Sequence, residues 1–384
     1  MDDDELGAEP LSDWSRQASW THTALAQQLV FGAGSRRQLG EVVRATGARR
    51  ALLVTTAGRA GSAAGGEIVK ALGRNLASTF ADVESHVPTT LVRQAVLQAR
   101  ADDVDLVVSF GGGSCADLGK AVCFFMEQEA GAPGSTHLDR PLVPHVSIPT
   151  TYSGAELTPF FGMTDPGTRQ KQGAGGPTTA PVVAIYDPEL TLSTPPRVSA
   201  ETGMNALAHC VEAAWSPHRT PEAEAIALAG AATIHRSLPT VVLHPDDLDA
   251  RTAMLEGAAL AGRCLLNASM GVHHGLSQLV GGRTGIPHGL ANAIILSHAV
   301  RFNADATPDA VRRIGAALGD PADAAGAIER FRDSLGLPAS LSDVGVQDED
   351  LEAVARLSQS NGNVARNPRP VSEADALAIL EAAF

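Results

Sequence analysis

The first half of the chain alternates short apolar, β-branched runs with stretches whose apolar residues recur every three or four positions. The runs predict five strands, at residues 51–56, 78–83, 105–110, 145–149 and 182–186. Between them the periodicity predicts amphipathic helices, for example at 91–100 and 116–126. This alternation of strand and helix indicates a largely parallel sheet that is covered on both faces.

From about residue 191 the strand-like runs stop, and long alanine-rich helical patterns follow. Five helices are predicted, at residues 198–215, 222–237, 248–264, 269–280 and 291–302. We therefore expect a Rossmann-like α/β domain over residues 24–190 and an all-helical domain over 191–384, with a cleft between them. Residues 1–23 are polar and are expected to form a loose extension.

Composition and charge narrow the class of protein. A chain of 384 residues with 44% hydrophobic content can bury large cores, and its net charge of −14 argues against binding to nucleic acid or anionic membranes. An anionic small-molecule substrate stays possible, because a few local cations outweigh a screened distant field. Without an apolar run of about eighteen residues or a signal-like N-terminus, we expect a cytoplasmic protein. The four cysteines are predicted to be buried free thiols.

A glycine triplet follows the strand predicted at 105–110 and begins a helix. The segment comprises Gly111, Gly112, Gly113 and Ser114. Such a turn lets backbone N–H groups approach a pyrophosphate, and a helix N-terminus favours its charge. A plain tight turn explains the triplet equally well, because it is not the G-x-G-x-x-G fingerprint. Asp117 and Lys120 follow on the same helix, where a solvated surface is the alternative interpretation.

Residues 148–159 carry a resemblance to a known family. Their sequence, IPTTYSGAELTP, is similar, nearly residue for residue, to the P-T-T-Y-A-G-S-E-M-T-P segment of maleylacetate reductases, a branch of the iron-containing alcohol dehydrogenase superfamily. The match continues over roughly residues 24–384. It implies the dehydroquinate synthase-like fold of that superfamily, with NADH or NADPH as the cofactor.

The resemblance also implies which residues contact the cofactor. Besides the glycine turn and Asp117, they are Thr150, Thr151, Thr158 and Lys171. Lys171 lies sixteen residues before Asp187, as in the family, although without the resemblance a loop lysine is the simpler interpretation. After the strand at 51–56 no acidic residue is present to bind an adenosine 2′-hydroxyl, and Arg59 lies nearby, so NADPH remains usable as well as NADH.

Members of the superfamily hold a divalent metal with one carboxylate and three imidazoles. The positions that resemble these ligands are Asn205, His209, His274 and His288, the last in a Pro-His-Gly loop. Because an amide oxygen is a poorer ligand than a carboxylate, we expect no bound metal; if one is bound, zinc or iron on the three histidines is expected. In a metal-free site the imidazoles would donate hydrogen bonds to substrate carboxylates or to a developing enolate oxygen.

Two positions on the substrate side depart from the family. Its H-H-x-L-C-H segment ends in a histidine where this chain has Gln278, which cannot transfer a proton near neutral pH. Its P-H-A-E-T-H segment is here PHGLAN at 287–292, closer to the metal-dependent alcohol dehydrogenases. We also expect Tyr152 and Asn205 beside the histidines, and Arg283 to pair with a substrate carboxylate.

The resemblance therefore implies an NAD(P)H-dependent reductase that passes hydride to an unsaturated oxo-acid, converting maleylacetate to 3-oxoadipate or acting on a related substrate, in a homodimer. Two alternatives remain open. One is a metal-dependent alcohol or aldehyde reductase that uses the three histidines. The other is a nucleotide-binding relative with a lyase, cyclase or regulatory role, which the missing family histidine at Gln278 allows.

Overall fold

The computed structural model describes residues 19–131, 141–167 and 171–384. Most of the extension expected at residues 1–23 therefore lies outside the described residues. Within them, an α/β half is followed by a helical half, which confirms the expected fold class.

Six strands form one parallel sheet, and two form a separate hairpin. They are β1 (Gln28–Phe31), β2 (Ala51–Thr55), β3 (Leu76–Phe80), β4 (Leu106–Gly111), β5 (His145–Pro149), β6 (Phe160–Thr164), β7 (Lys171–Gly175) and β8 (Val183–Tyr186). The order in the large sheet is β1-β8-β5-β4-β2-β3, and its neighbouring strands all run parallel. The carboxyl ends of β2, β4 and β5 therefore lie side by side, at the edge where such sheets bind ligands.

Helices cover both faces of this sheet. They are α1 (Leu39–Thr46), the single-turn α2 (Ala57–Ala60), α3 (Ala63–Leu72), α4 (Thr89–Ala101) and α5 (Gly113–Glu129). Leu53 of β2 packs with α1 and α3, whereas its neighbour Leu52 packs with α4 and α5. Successive side chains of a strand point to opposite faces. An unbroken apolar run such as β2 is therefore what a sheet buried on both sides requires.

The second half is built from helices. They are α6 (Pro188–Thr191), α7 (Pro196–Trp215), α8 (Pro221–Leu243), α9 (Leu248–Cys264), α10 (Val272–Thr284), α11 (His288–Asn303), α12 (Pro308–Ala317), α13 (Ala324–Ser334), α14 (Asp348–Ser358) and α15 (Glu373–Ala382). α7 is the central helix, since its residues 203–215 are all buried. A Cβ added to Gly203 would lie 2.5 Å from Leu238, so glycine lets α7 and α8 approach closely.

By length and composition alone, α8 is the one helix among the described residues that is able to cross a membrane. Its residues Ala227, Ala231 and Ile234 are buried in the same core cluster as α7 and α9. A helix that is apolar on most faces is common in the core of a large soluble domain. α8 thus packs with α7 and α9, and a cytoplasmic location stays a prediction.

Most predicted elements lie within three residues of the observed ones. β1 and the β6–β7 hairpin were not predicted, and α8 continues through Pro239 beyond the predicted end at 237. His288 is the first residue of α11 and not part of a loop, which corrects the expectation. All four cysteines are buried free thiols, as expected.

Candidate active site

The glycine turn brings the start of a helix to the carboxyl edge of the sheet. β4 ends at Gly111, whose φ is +152°, and the seventeen-residue α5 begins at Gly113. A Cβ on Gly112 would lie 3.2 Å from the side chain of Thr151, and one on Gly113 would lie 3.0 Å from Oγ of Ser153. The first N–H groups of a helix have no partner within it and favour phosphate. The turn, with Ser114 on α5, therefore fits a dinucleotide phosphate.

Two threonines at the end of β5 add hydrogen-bonding groups beside this turn. The Oγ1 atoms of Thr150 and Thr151 are buried and have no partner within the described part of the chain. Buried polar atoms are nearly always satisfied in a folded protein, so two adjacent unsatisfied hydroxyls indicate a ligand. These residues fit the nicotinamide dinucleotide that the resemblance implies.

Two other residues expected at the cofactor, Asp117 and Thr158, also take part in a hydrogen-bond network within the protein. Lys120 is fully buried; its Nζ lies 2.9 Å from Asp117 Oδ1 and donates to Thr158 Oγ1 at 3.1 Å and to the carbonyl of Ala155 at 2.8 Å. The lysine therefore ties α5 to the segment after β5, and it does not lie on a solvated face. The cofactor roles of Asp117 and Thr158 stay predictions. The side chain of Lys171 lies outside the described residues, so its role stays a prediction.

Three imidazoles from three helices form one cluster. His209 lies on α7, His274 on the first turn of α10, and His288 at the start of α11. The rings of His209 and His274 are stacked with their centroids 4.8 Å apart, and the ring of His288 lies 6.1 Å from that of His274. The structure thus brings together the three histidines that the sequence singled out.

Ser153 connects this cluster with the glycine turn. Its carbonyl oxygen lies 3.5 Å from Nδ2 of Asn205, which precedes His209 by one turn of α7. Its hydroxyl contacts the position where Gly113 begins α5. The candidate cofactor and substrate regions therefore adjoin at the seam between the two halves.

Glu212, which was not predicted from the sequence, orients His274. The fully buried carboxylate accepts the backbone N–H groups of Gly271, His273 and His274 at 3.1 to 3.2 Å, and it lies 2.6 Å from Nδ1 of His274. An ionised carboxylate only accepts, so Nδ1 carries the proton and Nε2 of the neutral ring keeps its lone pair. A glutamate one turn after His209 in an alanine-rich helix was the available signal.

A second buried side chain fixes the start of α10. Oδ1 of Asn367 accepts the N–H of Val272 at 3.2 Å. Glu212 and Asn367 together satisfy the N–H groups of residues 271–274, which the helix itself leaves without partners. A Cβ on Gly271 would lie 2.8 Å from Asn367 Oδ1 and 3.0 Å from Glu212 Oε1, so only glycine fits there. The turn that carries His274 is therefore held rigidly.

Burial favours the neutral forms of the imidazoles. It lowers the pKa of His209 well below the usual range, and the nearby His274 and His273 act in the same direction. Burial also lowers the pKa of His273, to about 4. For Glu212, burial raises the pKa, while His273 and the bonded backbone N–H groups oppose the rise.

Two expected residues, Tyr152 and Arg283, have partners within the protein. Tyr152 is fully buried, and its hydroxyl accepts a hydrogen bond from Arg251 at 3.2 Å in the core. Arg283 is paired with Asp350, with Nε and Oδ1 2.5 Å apart. The predicted position of Tyr152 beside the histidines and the predicted pairing of Arg283 with a substrate carboxylate stay predictions.

Amide pairs flank the cluster. Nδ2 of Asn292 donates to Oδ1 of Asn205 at 2.6 Å, which links α11 to α7. Gln278 follows His274 by one turn of α10, and its Oε1 accepts from Nδ2 of Asn363 at 3.2 Å. Both expected amides therefore lie beside the histidines, each held by an asparagine that the sequence did not single out.

A glycine turn that fits a phosphate lies near a histidine cluster, at the seam between an α/β half and a helical half, which is the arrangement expected of a nicotinamide-dependent dehydrogenase. Two family models agree: iron-containing alcohol dehydrogenase over residues 26–188, and the C-terminal part of the Fe-containing alcohol dehydrogenase family over residues 199–384. The chain belongs to the iron-containing alcohol dehydrogenase family.

Individual relatives narrow the branch. The chain is 36% identical to maleylacetate reductase of Rhizobium sp. (strain MTP-10005), over 95% of this chain and 97% of the relative. The crystal structure of maleylacetate reductase from Agrobacterium tumefaciens matches with a TM-score of 0.84 and 34% identity, over 95% and 98% of the two chains. Sulfoacetaldehyde reductase from Bifidobacterium kashiwanohense, solved with NAD+, matches with a TM-score of 0.84 and 25% identity, over 95% and 98%. The chain is thus an NAD(P)H-dependent oxidoreductase that resembles maleylacetate reductase, as predicted.

Proposed function

We propose that this enzyme reduces the carbon–carbon double bond of maleylacetate or a closely related unsaturated oxo-acid, using NADH or NADPH and no resident metal. The observation that carries the proposal is the histidine cluster joined to the dinucleotide turn through Ser153. The maleylacetate reductases among the relatives support this substrate class. When bound, the nicotinamide would supply a hydride to one carbon of the double bond, and a proton that derives from solvent would complete the reduction at the neighbouring carbon.

The donor set does not fit a resident iron. Asn205 stands at the position of the family carboxylate, and its amide oxygen already accepts a hydrogen bond from Nδ2 of Asn292 at 2.6 Å. The ligand atoms of Glu212, His273 and His274 lie within 4.8 Å of one another, but that carboxylate already accepts three backbone N–H groups and an imidazole. A dication would thus be left with neutral imidazoles and no negative ligand. For this reason the mechanism contains no step that a metal performs.

The imidazoles differ in what they offer the substrate. Because Glu212 fixes the proton of His274 on Nδ1, the neutral ring of His274 offers an acceptor at Nε2 and cannot donate there. Donation to a substrate oxygen falls on His209, whose Nδ1 is buried and has no partner within the described residues. A preorganised donor of this kind stabilises charge that develops on an enolate oxygen. For His274 the proposal therefore replaces the predicted donor role with an acceptor role, while the predicted donor roles of His209 and His288 are kept.

The proposal is tested with purified protein of measured metal content. We expect oxidation of NADH or NADPH with maleylacetate, at a rate that a chelator leaves unchanged, and a large loss of turnover in His209→Ala with little change in nucleotide affinity. Activity that requires added zinc or iron and prefers simple aldehydes would favour the metal-dependent alternative. Nucleotide binding without consumption across several unsaturated oxo-acids would favour a non-redox role.

The homodimer that the resemblance implies, and a cytoplasmic location, remain parts of this proposal. Light scattering of the purified protein measures the first, and fractionation of the source cells measures the second.

A further inference from the structure

Arg59 is a half-buried cation that has no acidic partner within the described residues. It lies on α2, directly after β2, and its guanidinium carbon is 5.9 Å from the centroid of the Phe110 ring. Nη1 donates to Oγ of Ser193 at 3.1 Å, and Nη2 donates to Oγ1 of Thr194 at 3.3 Å. Both acceptors are neutral hydroxyls, so they do not balance the positive charge.

Arg36, by contrast, is an arginine whose positive charge is balanced by carboxylates. Burial also acts to lower the pKa of Arg36, but hydrogen bonds to Glu67, Glu189 and Asp187 raise it overall. For Arg59 no carboxylate opposes burial, and the pKa is lowered. A partly buried charge without a counter-charge is costly, so the environment of Arg59 favours an anionic ligand.

Hydrogen bonds link Arg59 to the strand end that carries the unsatisfied threonines. The hydroxyl of Thr194 accepts from Arg59 and donates to the carbonyl of Thr150 at 2.6 Å. Phe110, next to the guanidinium, directly precedes the glycine turn. The guanidinium therefore lies at the same sheet edge as the start of α5 and the buried hydroxyls of Thr150 and Thr151.

Arg251 provides the contrast of an arginine with a purely structural role. It is fully buried and donates to four protein acceptors, among them Oη of Tyr152 at 3.2 Å and Oγ of Ser199 at 2.8 Å. Arg59 uses two of its five N–H donors on protein acceptors within the described residues. Donors therefore remain on Arg59 for a ligand.

We propose that Arg59 binds a phosphate of the nicotinamide dinucleotide. A planar guanidinium matches phosphate oxygens through paired hydrogen bonds. Two groups share this chemistry, namely the diphosphate common to both nucleotides and the 2′-phosphate found in NADPH alone. Ser193 and Thr194 lie between α6 and α7, so they orient Arg59 from the segment that joins the two halves.

The test is a fluorescence titration of NADH and of NADPH onto the purified full-length protein and onto Arg59→Gln. Losing a charged phosphate contact is expected to raise Kd about tenfold to hundredfold. Equal weakening of both nucleotides supports contact with the diphosphate, and weakening of NADPH alone supports contact with the 2′-phosphate. Unchanged Kd values for both overturn the proposal, even if the Michaelis constant of an oxo-acid rises.

Two further variants test whether a loss of nucleotide affinity is specific to the guanidinium of Arg59. Arg59→Lys keeps the charge but not the planar geometry, so we expect a smaller loss of nucleotide affinity than in Arg59→Gln. The difference in affinity between these two variants should become smaller at high salt, because salt screens the charge of the lysine. Arg236→Gln is the matched control, because that exposed guanidinium also donates to a threonine hydroxyl, Oγ1 of Thr233, at 3.4 Å. An equal loss in the control would overturn the proposal. Since binding is measured without turnover, failure of the proposed substrate leaves this test intact.

Discussion

Replacing Glu212 with glutamine exchanges one acceptor oxygen for an NH2 group of similar size. Oε1 of Glu212 accepts the N–H groups of Gly271 and His273, and Oε2 accepts both the N–H and the Nδ1–H of His274. If the glutamine oxygen keeps the first pair, its NH2 group faces Nδ1 of His274. That nitrogen must then accept, so the proton moves to Nε2 and the ring presents a donor in place of a lone pair.

The magnitude follows from the bonds that change. The backbone N–H of His274 loses its acceptor, which costs about 1 to 3 kcal/mol, and a charged bond to Nδ1 becomes a neutral one, which costs about 1 kcal/mol more. We therefore expect Glu212→Gln to lower the unfolding free energy by roughly 2 to 4 kcal/mol. Turnover should fall about tenfold to hundredfold, as is typical when the partner that orients a histidine is removed.

Nitrogen-15 NMR of the histidine side chains is the decisive assay, because it distinguishes protonated from unprotonated ring nitrogens. We expect the proton of His274 on Nδ1 in the wild type and on Nε2 in Glu212→Gln. Glu127→Gln is the control. Glu127 lies on α5, is also fully buried, and accepts hydrogen bonds from the N–H of Leu142 at 2.9 Å and the hydroxyl of Thr178 at 2.7 Å. An unchanged tautomer, or an equal loss of turnover in the control, would refute the reasoning.

Three more changes test other parts of the structure. Asn205→Asp restores a carboxylate beside the imidazoles, so zinc affinity should rise about tenfold or more; equal zinc content of variant and wild type after dialysis would contradict this. Lys120→Met leaves Asp117 and three oxygen acceptors without their cation, so stability should fall by about 3 kcal/mol with NADH affinity retained; a selective loss of NADH affinity would contradict this structural role. Burial and the nearby charge of Lys120 lower the pKa of His145 to about 3. Between pH of about 6.5 and 3 the unfolded chain therefore binds a proton at this histidine that the native state lacks, so stability falls as the pH drops through this range. Between pH of about 6 and 4, His145→Gln should flatten this fall by about 1.4 kcal/mol per pH unit in urea unfolding, and an identical slope would contradict the assignment.

Apolar patterning predicted the elements that are buried along their length. β5 and α9 have the predicted bounds, because continuous apolar runs and helical periodicity are what a covered sheet and a core helix require. β1 was missed because it is a four-residue edge strand with no fully buried residue. The β6–β7 hairpin was missed because glycines at 173 and 175 weaken any strand pattern, and its pairing depends on a partner strand.

The histidine cluster was predictable because the family resemblance fixes three positions, whereas the direction of each neighbouring side chain depends on packing. Tyr152 directly follows Thr151, yet it points to Arg251 in the core, while the hydroxyl of Thr151 is left for a ligand.

Glu212 acts on α10 about sixty positions later, so no local pattern predicts the contact. In the same way, the sequence shows that Asn205 has no charge, but only the fold shows that Asn292 donates a hydrogen bond to the side-chain oxygen of Asn205. The chemistry of this site is therefore a property of pairs that join different helices. A single substitution in either member of such a pair should change the partner's hydrogen bonding before it changes the fold, and for this reason the tautomer of His274 is a sharper test of the mechanism than activity alone.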